Sequence, residues 1–138
     1  MKRVKAHKVS RLARYRWLSL AASLLALTLA FIAKYYVGPY ERFADAYLGD
    51  VFIVICLYFW LAIAAPRFRI LSKFIVIAAV ASFVEFLQLT GLPARLNLGE
   101  PFVFILGTSF DPRDFIFYGV GLTLAVIVDV GFNRWGRI

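Results

Sequence analysis

Apolar and polar positions divide the chain into four long apolar runs. The first covers residues 17–33 without a charge. The second lies between Asp50 and Arg67, and the third between Lys73 and Arg95 with Glu85 as its only charge. The fourth extends from Asp114 to about residue 130, with Asp129 near its end. A helix rises 1.5 Å per residue, so crossing ~30 Å of hydrocarbon takes ~20 residues. By that measure the second and fourth runs are short, which places their boundary carboxylates at the edge of the apolar layer or slightly inside it. The pattern predicts an all-α integral membrane protein with four transmembrane helices. Residues 17–131 form its single transmembrane domain, residues 1–16 a basic tail and residues 132–138 a short C-terminus. Between the third and fourth runs, the apolar stretch 101–106 is too short to cross and is expected to be interfacial or re-entrant.

The first run has the basic flank of a signal peptide but exceeds the usual ~7–15-residue apolar region, and Lys34-Tyr35-Tyr36 follows in place of a small-residue cleavage site. It is therefore read as an uncleaved span. Composition points the same way. The chain is 62% hydrophobic with a mean hydropathy of +0.79, against ~45–50% apolar residues in soluble domains. A soluble domain of this length could not bury that surface.

A net charge of +8 would suit nucleic acid, but its placement argues for membrane instead. Seven of the sixteen Lys and Arg residues (Lys2, Arg3, Lys5, Lys8, Arg11, Arg14 and Arg16) precede the first span, as juxtamembrane anchors to anionic lipid do. Adding Arg67, Arg69, Lys73, Arg134 and Arg137 puts twelve on one side of the membrane, against Lys34, Arg42, Arg95 and Arg113 on the other. The positive-inside rule then predicts cytoplasmic termini. Tyr15 and Trp17 suit the inner aromatic belt; Tyr35, Tyr36, Tyr40 and Tyr47 suit the outer one. The expected partners are membrane lipids, with no nucleic acid.

The carboxylates carry the candidate chemistry. Asp50 follows Gly49 at the start of the second run and reads as a helix cap. In Asp111-Pro112-Arg113-Asp114, Asp111 suits the N-cap, Pro112 the first helical position and Asp114 the place of a capping-box acid. Glu85 has no such role. With a third helix starting near Ile70, it lies about 22 Å up a ~30 Å layer. Gly91 and Pro93 end that helix soon after it. An ionisable group at this depth must face the bundle or water. Gln88 shares its face, and Ala78, Ala81 and Ser82 form a small-residue strip below. The fourth span repeats the arrangement with Asp114, Tyr118, Gly121 and Ala125. Packing of the two strips would gather Glu85, Gln88, Asp114 and Tyr118, with Asp50 at the rim and Arg95 and Arg113 as available cations. Asp129 is expected to pair with Arg134 or with the Arg67/Arg69 loop.

Several chemistries are disfavoured. Cys56 is alone and His7 lies in the basic tail, so no cysteine metal site and no intramembrane nucleophile–histidine pair can form. No glycine-rich phosphate loop is present. The sequence implies no cofactor and no metal, and it assigns no catalytic residue.

Gly49-Asp50, Glu85-x-x-Gln88 and Gly107-x-x-Phe110 leading to Asp114, Tyr118 and Gly121 together resemble domain-of-unknown-function family 2809. The ordered polar set is also similar to the broader VanZ-like group. The resemblance implies a small four-helix protein of the bacterial cytoplasmic membrane with its polar set toward the outer surface. The VanZ-like association with glycopeptide tolerance implies contact with envelope lipids or wall precursors. Three expectations follow. The outer-half cluster binds a polar lipid head group or envelope precursor; or the chain is a non-catalytic accessory subunit, packed on a membrane-protein partner or a homo-oligomer; or carboxylates move protons or cations within an oligomer. A hydrogen-bond network that only fixes helix packing is the structural alternative for the cluster.

Overall fold

The computed structural model describes residues 2–91, 95, 96, 99 and 110–135. Among them every regular element is helical. Helix α1 is Lys2–Lys34, α2 is Glu41–Ala64, α3 is Ile70–Leu89 and α4 is Asp114–Trp135. Each contains a stretch long and apolar enough to cross a membrane. The segment 101–106 lies outside the described residues.

The local rules hold at three helix ends. Helix α3 starts at Ile70 and reaches its C-cap at Thr90, and Gly91 follows at φ 68°. That left-handed conformation turns the Gly91 amide back to the Gln88 carbonyl at 2.8 Å. At the entrance to α4, Asp111 Oδ1 accepts from the Arg113 backbone amide at 2.9 Å, as an N-cap does.

The start of α2 differs from the sequence expectation. The helix begins at Glu41, not at Asp50, and runs through a π-helical turn at Ala44–Leu48 into the α-helix Gly49–Ala64. Glu41, Arg42 and Asp45 read as loop residues because they are charged, yet all three are exposed on the first turns. Asp45 also pairs with Lys34 at the end of α1, at 2.7 Å. Asp50 is therefore no cap. It is half-buried, more than two turns inside a continuous helix.

Helix α2 lies at the centre of the bundle and touches the other three. Against it, α1 presents Ser19, Ser23, Ala26, Ala30 and Ala33, all at most 5% exposed. Their alternating four- and three-residue spacing makes a coiled-coil seam of small side chains, which lets two backbones approach closely. Ser23 Oγ and Cys56 Sγ meet across it at 3.3 Å. On its other side α2 contributes Val54, Tyr58, Phe59 and Ala62 to a core shared with Ile77 and Ala81 of α3 and Leu122 and Ala125 of α4. The two small-residue strips thus meet only in part. Ala81 and Ala125 share the core, Ser82 is exposed, and Gly121 faces α2. A Cβ at Gly121 would come within 2.6 Å of the Val51 carbonyl oxygen.

Candidate functional site

Two polar layers interrupt the apolar bundle, one toward each end, and their chemistry differs. The first is built on Glu85. This side chain is 0% exposed, because the row Lys73, Ile77, Ala81, Glu85 repeats every fourth residue along the inner face of α3. The Tyr118 hydroxyl on α4 donates to Glu85 Oε1 at 2.6 Å, and the Asp111 backbone amide faces the same carboxyl group. Glu85 Oε2 accepts no hydrogen bond among the described residues. Gln88, three residues on, is buried beside it.

Asp114, at 9% exposed, enters from the first turn of α4, and Asp50 enters from α2. Their carboxyl groups lie against one another, and both are within electrostatic reach of Glu85. Five of the residues singled out in the sequence, Glu85, Gln88, Asp114, Tyr118 and Asp50, therefore belong to one end of the bundle.

The two cations expected there stay at its edge. Arg113 is exposed and donates from Nη1 to the Tyr47 hydroxyl at 3.3 Å. That hydroxyl donates in turn to Asp111 Oδ2, also at 3.3 Å, and the Tyr47 ring stacks on Phe117 with centroids 4.4 Å apart. The hydrogen bond to Tyr47 and the nearby Asp111 carboxyl push the Arg113 guanidinium above its ordinary value. Arg95 is exposed, with its amide bonded to the Gly91 carbonyl. Among the described residues the ion pairs are Lys34–Asp45 and Lys73–Asp129, and neither involves Glu85. No group of three or more His, Cys, Asp or Glu side chains among the described residues is arranged to hold a metal ion.

The second layer is the opposite case, because its hydrogen-bonding groups are well matched. Lys73 is 1% exposed and Asp129 0%, and the two form a buried ion pair. The Tyr15 hydroxyl donates to Asp129 Oδ1 at 2.8 Å, the Tyr58 hydroxyl to Oδ2 at 2.7 Å and the Asn133 amide to Oδ1 at 2.9 Å. Lys73 Nζ also donates to the Tyr15 hydroxyl at 2.6 Å and sits 5.2 and 5.4 Å from the Tyr15 and Tyr58 ring centroids. All four helices contribute to this layer, which clasps one end of the bundle.

Asp129 therefore pairs with Lys73, and not with Arg134, Arg67 or Arg69, which are all exposed. In the sequence Lys73 bounds the third run and counts with Arg67 and Arg69 among the flanking cations. Its position one turn inside α3, in the same four-residue row as Glu85, was the available sign.

A family model described as a protein of unknown function (DUF2809) matches residues 40–122, and the chain belongs to that family. The matched span takes in Asp50, Tyr58, Lys73, Glu85, Gln88, Asp114 and Tyr118; Tyr15 and Asp129 fall outside it. No curated protein and no solved structure matches the chain.

Proposed function

We propose that this member of the DUF2809 family is a multi-pass protein of the bacterial cytoplasmic membrane that holds the polar head group of an envelope lipid or envelope precursor. The pocket is built on Glu85, Gln88 and Asp114, with Tyr118 and Asp50 at its sides. The observation that carries the reading is Glu85 itself. It is fully buried and anchored through one oxygen by Tyr118, while its other oxygen accepts no hydrogen bond among the described residues. A buried polar atom without a partner is costly, and within a membrane an ionisable side chain marks a functional position by default.

The distribution of Lys and Arg supports cytoplasmic termini, with the Glu85 layer in the outer half of the bilayer. Similarity of the ordered polar set to VanZ-like proteins supports the envelope assignment. Movement of ions through the bundle is the weaker reading. The four-helix Lys73–Asp129 clasp and the apolar band of Ile77, Ala81, Leu122 and Ala125 lie between the Glu85 layer and the other membrane face.

The test is Glu85→Gln, which keeps an acceptor for Tyr118 and removes the acid. Susceptibility to envelope-directed antibiotics is measured alongside protein abundance in the membrane. A changed susceptibility at normal abundance is expected. Unchanged susceptibility at normal abundance would overturn the ligand site and favour an accessory subunit. In that case a stable partner should copurify in mild detergent.

A further inference from the structure

The Glu85 layer is rich in hydrogen-bond acceptors and holds no buried Lys or Arg among the described residues. Carboxyl groups enter it from three helices: Asp50 from α2, Glu85 from α3 and Asp114 from α4. The cations described nearby stay at the edge: Lys34 pairs with Asp45, Arg113 bonds Tyr47, and Arg42 is exposed on the first turn of α2. Arg95 is the only Lys or Arg between residues 74 and 112, and it is exposed. The charge of the whole end follows the same sense. Glu41, Asp45, Asp50, Glu85, Asp111 and Asp114 belong to it against Lys34, Arg42, Arg95 and Arg113, whereas Asp129 belongs to the other end.

A second observation concerns Glu85 itself. Glu85 is 0% exposed, its Oε2 accepts no hydrogen bond among the described residues, and its carboxyl group is within electrostatic reach of Asp50 and Asp114. A group that satisfies Oε2 brings a hydrogen-bond donor, and a positively charged donor also complements the three carboxyl groups. A divalent metal ion fits poorly. A hard cation wants six or more oxygen ligands, and these side chains do not converge as a metal set among the described residues. An alkylammonium fits better, since its three N–H donors spread in different directions and can address carboxyl groups arriving from separate helices.

Resting on the head-group reading above, we infer that the group seated against Glu85 is a primary ammonium, carried by a zwitterionic lipid head group whose phosphate meets Arg113. The polarity of the site matches that dipole. Acids lie inside the bundle, and an exposed guanidinium stands at the rim, with planar donors of the kind that recognise phosphate in bidentate fashion. The Tyr47–Phe117 stack holds the Tyr47 hydroxyl that fixes the guanidinium. Glu85 and Asp114 address the ammonium, and Arg113 orients the phosphate.

The experiment uses the full chain, stripped of lipid in mild detergent and offered equal amounts of phosphatidylethanolamine and phosphatidylglycerol. Retention is read by native mass spectrometry. A charge-assisted hydrogen bond in a buried site predicts preference for the ethanolamine lipid by roughly 10- to 100-fold. In Glu85→Gln the preference should vanish at an unchanged melting midpoint, and in Asp114→Asn it should weaken. Equal retention of the two lipids that still depends on Glu85 would overturn the ammonium while leaving the head-group site standing. Retention indifferent to both Glu85 and Asp114 would overturn both. A further arm offers soluble phosphoethanolamine. Retention of it as tight as that of the lipid would assign the ammonium to a free metabolite and overturn the lipid source.

Discussion

Replacing Lys73 with Met should destabilise the bundle far more than removing any exposed cation. Met keeps the length and apolar stem of lysine but removes the ammonium. Asp129 then loses its ion-pair partner while remaining 0% exposed. The Tyr15 hydroxyl loses a donor at 2.6 Å, and the Tyr15 and Tyr58 rings lose a cation 5.2 and 5.4 Å from their centroids. Breaking a buried pair from one side costs about 3–5 kcal/mol. Asp129 keeps Tyr15, Tyr58 and Asn133 as donors, so the loss should fall near the lower bound, about 3 kcal/mol or roughly a hundredfold in the folding equilibrium. Replacing Asp129 with Leu in the same chain should recover part of that loss, because the stranded carboxylate goes too. Recovery is incomplete because the two tyrosine hydroxyls then lack their acceptor. The assay is equilibrium unfolding in mild detergent, followed by helical circular dichroism. Lys73→Met within about 1 kcal/mol of the parent chain, or a double variant no more stable than the single one, would refute the clasp as an energetic unit.

Three further substitutions test the packing on which the site depends. Gly121→Ala puts a methyl group 2.6 Å from the Val51 carbonyl oxygen, a backbone atom that can move only with its helix. It should cost about 1–3 kcal/mol in detergent unfolding. Gly119→Ala meets open space and should be neutral or stabilising by up to about 1 kcal/mol; equal effects at the two glycines would contradict the close α2–α4 approach. Tyr118→Phe removes the hydroxyl that bonds Glu85 at 2.6 Å and leaves a buried acceptor unpaired. A loss of about 1–3 kcal/mol is expected by the same assay, and no loss would mean that Glu85 is solvated instead.

Much of the fold was readable because local rules govern it. Apolar runs located four spans, Ile70 and Gly91 bounded α3, and Asp111 marked the approach to α4. The entrance to α2 was not readable. Glu41, Arg42 and Asp45 are exposed charges on a helix, and in sequence they look the same as charges in a loop. Shortening the span at Asp50 then turned an inward-facing carboxyl group into an apparent cap. The α1 seam of Ser19, Ser23, Ala26, Ala30 and Ala33 is regular, but its spacing is masked by a run that is apolar on every side. At the candidate site, helix periodicity grouped Glu85 with Gln88 and Asp114 with Tyr118. The direct Glu85–Tyr118 bond depends on how two helices register, which neither sequence stretch specifies alone. The Lys73–Asp129 pair was missed for the same reason. Lys73 lies about one turn and Asp129 nearly two turns from a helix end, and a nearby Arg offers each an equally plausible partner until the inward faces are known.

The most direct test of the ligand site is an experimental map of the full chain in a nanodisc of native lipid. The account predicts density for a bound head group with a polar atom about 3 Å from Glu85 Oε2. A dry layer in which Oε2 is hydrogen-bonded by neighbouring side chains, with no density against it, would contradict the account and make the cluster a packing network.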